Sequence, residues 1–296
     1  MSEVTQDGIV VAVDGSVYSD AALEFAVHEA VMRNLELSIV HAVNPIVGGY
    51  AGLGLSAAPW PQGIGPWMEE EAQRLVDDAA RKARTSAGDA ALRVRTATPF
   101  SQAAPTLIEI SKRAHMVVLG SRGQSGWQRA LLGSVSTALV HHAHCPVAIV
   151  RENVSPERQH APVVVGIDGS PASELATALA FEEASMRGAK LVAVHAWSDS
   201  NLPQLDAVPM SAIAAEAQET LAERLAGWQE RYPDVVIHRV VVPEAPGRTL
   251  LAESESAQLV VVGSRGRGGF TGMLLGSVSS AVVHEAHTAV IVARQG

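Results

Sequence analysis

The sequence predicts an α/β protein of two tandem domains, each a doubly wound, five-stranded parallel sheet with helices on both faces. Three observations lead to this prediction. The length of 296 residues suits two units at roughly 150 residues per domain. Several short motifs occur twice in the same order, and short apolar runs alternate with longer helical patterns. That alternation favours right-handed βαβ units and a parallel sheet.

Four short motifs occur twice and in the same order, which identifies the chain as a repeat. The pairs are Val11–Ser16 with Val165–Ser170, His41–Ala42 with His195–Ala196, Gly120–Gly123 with Gly263–Gly266, and Leu131–Ser136 with Leu274–Ser279. The first copy is longer between its second strand and its glycine-rich loop. The uncharged stretch Ala42–Met68 is the expected place for the extra residues. Its prolines and glycines predict a surface loop instead of a membrane-spanning helix.

The domain boundaries follow from the repeat. We predict domain 1 at residues 1–152, a linker at residues 153–161 and domain 2 at residues 162–296. The linker lies in the polar, proline-containing run Glu152–Ala161, a composition typical of connections between domains.

Each element of the first copy has its own local signal. A short apolar run rich in β-branched residues predicts a buried strand at Ile9–Asp14. The alternation of strands and helices places the other strands at Leu37–Val43, Leu92–Ala97, Met116–Gly120 and Val147–Val150. Apolar residues at helical spacing predict helices at Tyr18–Arg33, Glu69–Ala87, Ala104–Arg113 and Ser134–Ala143. The second copy repeats this order from Val163 to Ala293. The predicted arrangement is Rossmann-like, and such sheets bind ligands at the switch point, outside the carboxyl ends of the strands.

The overall charge narrows the classes of partner. With 22 basic and 31 acidic residues the formal net charge is -9, which disfavours nucleic acid and anionic membranes as partners. Aromatic residues make up 4%, too few for base-stacking platforms. The single cysteine, Cys145, excludes an intramolecular disulfide, and the polar start Met1–Asp7 lacks the pattern of a secretory signal. These features lead us to expect a cytoplasmic protein.

The repeated motifs point to an anion-binding site in each copy. Asp14 and Asp168 end the first strands, and a loop of the pattern Gly-x2-Gly-x9-Gly-Ser follows each fourth strand. Glycines let backbone amides approach an anion without a Cβ in the way, and a helix N-terminus favours negative charge. Donors at the start of the next helix, with nearby arginines, would be Ser134, Val135 and Ser136 with Arg122 and Arg129, and Ser277, Val278 and Ser279 with Arg265 and Arg267. The alternative is that the glycines form only tight turns and the serines only N-caps.

Other nucleotide and metal motifs do not match. A P-loop needs a lysine in its glycine loop, and none of the three lysines lies in either loop. Neither Gly-x-Gly-x-x-Gly after the first strand nor a His-Glu-x-x-His helix is present. His141, His142, His144 and Cys145 cluster in the sequence, but we interpret them as packed or helix-terminal side chains, so no metal ligand is assigned.

Together these motifs resemble the ATP-binding branch of the universal stress protein family. The resemblance rests on the two glycine loops and on the aspartates that end the first strands, and it covers nearly the whole chain as two tandem domains. The phrases His195–Asp199 (HAWSD) and Leu225–Pro233 (LAGWQERYP) extend it to the tandem members of the family in mycobacteria.

The resemblance implies one ATP or ADP, with Mg²⁺, in each domain. The residues at the adenine and ribose end would be Ala12, Asp14 and Val43 in the first copy and Gly166, Asp168, Trp197 and Asp199 in the second. The loops around the ribose and phosphates would be Gly120, Ser121, Arg122, Gly123, Gln124, Ser125, Gly126 and Arg129, and Gly263, Ser264, Arg265, Gly266, Arg267, Gly268 and Gly269. The outer phosphates would be held by Gly133, Ser134, Val135 and Ser136, and by Gly276, Ser277, Val278 and Ser279. No catalytic residue is assigned.

The resemblance also implies a mode of assembly and a role. Family members pair through their fifth strands, so we expect either a homodimer or a pairing of the two domains within one chain. The leading hypothesis is a nucleotide-dependent regulator in stress or growth-state adaptation, without enzymatic activity, that an unidentified protein partner reads. The alternatives are a slow ATPase or self-phosphorylating enzyme, with Ser134 or Ser277 as acceptor, and a nucleotide-free dimerisation scaffold.

Overall fold

The structure is a computed structural model that describes residues 8–44, 64–123, 132–151, 160–196, 210–267 and 274–294. The first half contains strands β1 (Ile9–Ala12), β2 (Leu37–Val40), β3 (Val94–Ala97), β4 (Met116–Gly120) and β5 (Val147–Val150), and helices α1 (Val17–Met32), α2 (Ile64–Ala87), α3 (Ala103–Ser111) and α4 (Ser134–His142). The second half contains β6 (Val163–Gly166), β7 (Leu191–Ala196), β8 (Ile237–Val242), β9 (Leu259–Gly263) and β10 (Ala289–Ala293), with α5 (Pro171–Met186), α6 (Met210–Arg231), α7 (Pro246–Ser254) and α8 (Ser277–Glu285). Both halves follow the same order of elements, as the repeat predicts.

The ten strands of the described residues form one sheet. Its order is β3-β2-β1-β4-β5-β10-β9-β6-β7-β8, so each half is a doubly wound, five-stranded parallel sheet, as predicted. The halves meet where β5 and β10 pair antiparallel, with Ala148 opposite Ile291. Pairing of the fifth strands within one chain, one of our two alternatives, is therefore what the structure contains. A homodimer would need a different surface, because these two strand edges are already paired.

Helices cover the sheet on both faces. Val11 and Ile39 pack against one layer, formed by α1, α2, α5 and α6. Val10 and Leu119 pack against the opposite layer, formed by α3, α4, α7 and α8. Successive strand residues point to opposite faces, so a strand that is covered on both faces is apolar at every position. The inner strands of each half are such apolar runs, whereas the edge strands β3 and β8 also carry polar and charged residues such as Arg95 and His238.

Helix α2 begins earlier than predicted. It begins at Ile64 instead of Glu69, so the last residues of the uncharged stretch are helical and the prediction of a loop is wrong there. Pro66 lies in the first turn, where proline is tolerated because amides in that turn have no acceptor within the helix. The remainder of the stretch from residue 45 to residue 63 lies outside the described residues.

The cysteine and histidine cluster contains a core thiol. Cys145 is buried, and burial raises the pKa of its thiol to about 12. Within the described part of the chain, no group of three or more histidine, cysteine or acidic side chains is arranged to hold a metal ion. No helix in that part is long and apolar enough to cross a membrane.

A buried group of charges, the interdomain charge cluster, joins the two halves. It consists of Glu29 of α1 with Arg33, which caps the C-terminus of that helix, and of Glu182 and Glu183 of α5 with the equivalent cap residue Arg187. Each arginine binds the glutamate four residues before it, at 3.1 Å in α1 and 2.9 Å in α5. Each also binds the equivalent glutamate of the other half. Four of these side chains are at most 7% exposed, whereas Glu182 is 40% exposed.

The interdomain charge cluster holds three carboxylates and two guanidinium groups. Burial, and then the negative charge of Glu183, raise the pKa of Glu29 to about 7. Burial would also raise the pKa of Glu183, but the positive charges of Arg187 and Arg33 outweigh burial and hold that pKa below its usual value. One proton on Glu29 therefore neutralises the cluster below about pH 7.

We expect the contribution of Glu29 to the free energy of unfolding to fall as the pH rises from about 5 to 8. A carboxyl whose pKa is raised by folding stabilises fully below the pKa of the unfolded chain, about 4.3, and this stabilisation is lost as the pH passes the folded value. Over this pH range Glu29→Gln keeps the cluster neutral, so it should remove about 3 kcal/mol of pH dependence. Chemical denaturation of both proteins at several pH values measures the difference.

The comparison with Glu29→Gln isolates this proton. Burial, and then the charge of Arg187, lower the pKa of His28, which gives a pH dependence of opposite sign. His28 is present in both proteins, so its effect cancels to first order. Identical pH dependence in the two proteins would show that Glu29 does not hold the proton.

Candidate functional site

The predicted site lies at the switch point of each half-sheet. β1 pairs with β2 on one side and with β4 on the other. Asp14 follows β1 and the loop Gly120–Gly123 begins at the end of β4, so the two motifs lie side by side. β6 pairs with β7 and β9 in the same way, which places Asp168 beside Gly263–Gly266. This is where doubly wound sheets bind their ligands.

Asp168 connects the loop after β9 to the end of β6. Its carboxylate accepts hydrogen bonds from Ser170 N at 2.9 Å and from Arg267 N at 3.0 Å. Burial alone would raise the pKa of Asp168, but the hydrogen bonds from Ser170, Arg267 and Ser173 outweigh burial and hold the pKa below its usual value. Asp168 is therefore an ionised acceptor that organises the glycine loop, and it is a weak base.

The aspartates also explain two of the loop glycines. Asp14 accepts a hydrogen bond from Ser16 N at 3.0 Å. A Cβ on Gly123 would lie 2.5 Å from the Asp14 carboxylate, and a Cβ on Gly266 would collide in the same way with Asp168. Glycine at both positions leaves the carboxylate room to lie against the loop, and a side chain there would displace the carboxylate.

Gly120 and Gly263 are required by packing, which corrects our expectation that the missing Cβ leaves room for a ligand. A Cβ on Gly120 would lie 2.8 Å from the backbone of Tyr18, and a Cβ on Gly263 would lie 2.6 Å from the backbone of Ala172. These backbone atoms belong to the first turns of α1 and α5. The Cβ direction therefore faces a helix, and glycine is what lets that helix cross the end of the strand closely.

Three residues predicted near the adenosine are packing residues at strand ends. A Cβ on Gly166, the last residue of β6, would lie 3.0 Å from the side chain of Leu250 in α7. Ala12 ends β1 and packs against the core of that face. Val43 is buried, and its amide donates to Pro99 O at 2.9 Å. All three lie at the carboxyl side of their strands.

Helices α4 and α8 have open N-termini at the glycine loops. Their N-cap residues are Gly133 and Gly276, and no side chain of the described residues caps either helix. The amide of Gly133 donates to Ser121 O at 2.9 Å, and that of Gly276 donates to Ser264 O at 2.8 Å. Helices α1 and α5 differ, because serine side chains cap them. The first-turn amides of α4 and α8 are thus suited to bind an anion.

The four predicted serines in the first turns of α4 and α8 have two different roles. Ser134 and Ser277 are exposed at the first position of each helix. Ser136 and Ser279 are buried, and their hydroxyls donate to the last carbonyl of β4 at 2.8 Å and of β9 at 2.5 Å. These buried hydroxyls fasten the helices to the strands, so only the amides of Ser136 and Ser279 remain candidates for phosphate binding.

Positive charge lies close to both loops. The guanidinium of Arg122 stacks over the ring of Tyr18, 5.7 Å from its centre. Burial, and then the charge of Arg122, lower the pKa of Arg151. Burial, and then the charge of Arg265, lower the pKa of Arg294 in the second half. An anion at either loop would relieve this repulsion, so both loops favour a negatively charged ligand.

The structure brings three residues to the sites that were not predicted as site residues: His41 and His195, which belong to one of the repeated motifs, and Arg224. The Nδ1 atoms of His41 and His195 lie 2.7 Å from the carbonyl oxygens of the residues that precede the two aspartates. Their occurrence in both copies was the signal for them. Arg224 of α6 reaches the second site, where it and Arg267 occupy the space next to Gly169. No repeated motif marks Arg224, so its position depends on the folded structure.

The remaining predicted site residues are two valines in the first turns of α4 and α8 and eight residues that the structure does not describe. Val135 and Val278 pack their side chains against the core, which leaves their amides as possible donors. Eight predicted residues lie outside the described part of the chain: Gln124, Ser125, Gly126, Arg129, Trp197, Asp199, Gly268 and Gly269.

The fold and the site define a class of protein: a tandem pair of doubly wound α/β domains, each with an aspartate-anchored glycine loop at its switch point. The sequence model of the Universal stress protein family matches this chain at residues 7–151 and 160–294. The chain belongs to the universal stress protein family, and the predicted resemblance is confirmed.

Relatives with the same two-domain length are similar over almost the whole chain. The Mycobacterium tuberculosis universal stress protein Rv2005c is 54% identical over 293 residues, which cover 98% of each chain. Rv2623 of the same organism is 47% identical over 295 residues, 97% of this chain and 96% of the relative. A universal stress protein from Archaeoglobus fulgidus, known from its crystal structure, aligns with a TM-score of 0.72 at 22% identity and covers 98% of this chain and 97% of that one. This last likeness supports the fold.

Proposed function

We propose that each half of the chain binds one adenine nucleotide, ATP or ADP, with its phosphates at the N-terminus of α4 or α8. The observation that carries the proposal is the pair of open helix starts, each fixed against a glycine loop. The loops in turn pack against the aspartates at the ends of β1 and β6. This arrangement occurs in both halves, which supports a role beyond tight turns. It also agrees with the glycine-loop pattern of the ATP-binding branch of the family.

The residues present fit a nucleotide polyphosphate. First-turn amides, the exposed hydroxyls of Ser134 and Ser277, and nearby arginines offer donors to phosphate oxygens without any lysine. The neighbouring carboxyl edge of the sheet is the usual place for a base and a ribose in such folds. Asp168 already accepts two backbone hydrogen bonds. Mg²⁺ carried with the nucleotide would therefore be held mainly by phosphate oxygens and water.

The geometry favours regulation over catalysis. Hydrolysis or self-phosphorylation needs a base beside the attacking oxygen. Asp168 is a poor base, because its pKa is held below the usual value by the hydrogen bonds that organise the loop. Bound nucleotide would instead favour the conformation in which loop and helix are ordered together. A protein partner in stress or growth-state adaptation would then read that conformation.

Glutamate at the first position of each phosphate helix should block binding in that half. Ser134→Glu and Ser277→Glu place a carboxylate where the phosphate would lie, so ATP affinity at the altered site should fall more than about 10-fold. The fold should be unaffected, because a carboxylate is favourable in the first turn of a helix. Titration calorimetry of nucleotide-stripped protein is expected to give two equivalents of ATP for the unaltered chain, one for each single variant and none for the double variant.

Two control variants test whether the loss of ATP binding comes from a negative charge placed at the phosphate site. Ser256→Glu adds the same charge at an exposed position in the turn after α7, away from both loops, and should leave ATP binding unchanged. Ser134→Ala removes only the hydroxyl and should weaken binding less than Ser134→Glu. Two equivalents of ATP bound by the Ser134→Glu, Ser277→Glu protein would contradict the proposed sites. No ATP bound by the unaltered chain would favour the nucleotide-free scaffold.

A further inference from the structure

Arg151 crosses from the first half of the sheet to the second. It follows β5, and its guanidinium donates to Val283 O at 2.8 Å and to His284 O at 2.7 Å. Both carbonyls lie in the last turn of α8. The antiparallel pairing of β5 with β10 brings the end of β5 to this helix. Arg151 therefore occupies the C-terminal end of a helix in the other half.

Arg294 makes the reciprocal crossing. It follows β10, and its guanidinium donates to Ala143 O at 3.0 Å and to Val140 O, at the C-terminal end of α4. It also lies 3.4 Å from Leu274 O in its own half. Arg151 and Arg294 occupy equivalent positions of the repeat. Each binds the C-terminal end of a helix, α8 or α4, whose N-terminal end is a candidate phosphate site.

Each arginine is also adjacent to the glycine loop of its own half. The residue before Arg151 accepts a hydrogen bond from Ser121 N at 2.8 Å, and the residue before Arg294 accepts one from Ser264 N at 3.1 Å. Ser121 and Ser264 are the second residues of the two loops. A backbone connection therefore runs from each loop to the arginine that holds the helix of the opposite site.

The helices are short, so their ends matter. Each has nine residues, about 14 Å at 1.5 Å per residue. Helices of this length are marginal without tertiary contacts, and their last carbonyls have no N–H donor within the helix. A guanidinium that binds those carbonyls satisfies them and complements the negative end of the helix dipole. A displacement of the C-terminus moves the N-terminus by a similar amount, because so short a helix moves as one body.

We propose that Arg151 positions the phosphate-binding start of α8 and that Arg294 positions that of α4, so that each nucleotide site depends on an arginine from the other half. The inference rests on the proposed nucleotide sites. Arg151 and Arg294 are positioning residues in this account, since they act on the distant site through a helix and do not contact its nucleotide.

The test uses the full chain with one site blocked at a time and ATP as the probe. Ser134→Glu leaves the second-half site, and there Arg151→Gln is expected to weaken ATP binding about 5- to 10-fold. Ser277→Glu leaves the first-half site, where Arg151→Gln removes only a positive charge close to the loop, so the loss of affinity should be smaller there, less than about 3-fold. Arg151→Lys retains a cationic donor and should recover part of the loss. Arg294→Gln should show the opposite pattern.

The crossed pattern distinguishes positioning from general destabilisation. Arg113→Gln removes the same charge from an exposed position and should affect neither site. Unchanged affinity, an equal loss at both sites, or a loss confined to the first-half site in Arg151→Gln would overturn the proposal. If Arg151→Gln fails to fold, Arg151→Lys and Arg294→Gln carry the same crossed test. Failure of the nucleotide sites themselves would look different, because the unaltered chain would then bind no ATP.

Discussion

Arg33→Ala is expected to lower the free energy of unfolding by about 3–5 kcal/mol. The Arg33 side chain is 4% exposed and binds Glu29, Glu182 and Glu183. Without it, the carboxylates of Glu29 and Glu183, both 0% exposed, share Arg187 as their remaining guanidinium in the cluster. Breaking a buried ion pair by removing one partner leaves an uncompensated buried charge, which accounts for the size of the effect.

Chemical denaturation at pH 8, followed by circular dichroism, measures this loss. Arg74→Ala is the matched control. The Arg74 side chain on α2 also forms ion pairs with carboxylates, but it is 64% exposed. Exposed ion pairs contribute less than about 1 kcal/mol to stability. Glu183→Gln in the Arg33→Ala protein should restore part of the stability by removing one buried charge. Equal losses for Arg33→Ala and Arg74→Ala would mean that the cluster contributes no more than a surface ion pair.

The interdomain charge cluster was only partly predictable from the sequence. Glu29 lies at helical spacing among apolar residues of α1, and the repeat places Glu183 at the same point of α5. A carboxylate on a buried face indicates a buried partner. The partner itself lies 150 residues away in the case of Arg33 and Glu183. The contact depends on the folded structure, because the antiparallel pairing of β5 with β10 is what places the end of α1 beside the end of α5.

The position of the candidate site was predictable because it depends on strand ends. Asp14 follows β1 and Gly120 ends β4, these two strands are adjacent in the sheet, and the carboxyl ends of parallel strands meet at one edge. The direction of each side chain was not predictable. From the motif, Ser136 was expected to bind a phosphate at the start of α4. Its hydroxyl donates instead to Gly120 O at the end of β4. A motif fixes which residues are near one another, whereas packing of the helix on the sheet decides where each Cβ points.

Gly263→Ala is expected to lower the free energy of unfolding by about 3 kcal/mol in the absence of any nucleotide. The new Cβ would lie 2.6 Å from Ala172 C, 2.7 Å from Ala172 O and 2.9 Å from Ser173 N. All three are backbone atoms of the first turn of α5, so no change of rotamer relieves the overlap and the helix must move relative to β9. Such a shift would also disturb Ser279, whose hydroxyl donates to Gly263 O. Weaker nucleotide binding would then follow from the altered packing.

Denaturation without nucleotide separates this account from a ligand-facing role for Gly263. If its missing side chain served only to admit a ligand, Gly263→Ala would keep its stability and lose binding alone. Gly227→Ala is the matched control, because a Cβ there meets nothing within 4 Å. Alanine is a better helix former than glycine, so the control should gain up to about 1 kcal/mol of stability. We therefore expect the free energy of unfolding to fall for Gly263→Ala and to rise for Gly227→Ala. The space at the Cβ position is filled by the backbone of α5 at Gly263, whereas it is open to solvent at Gly227.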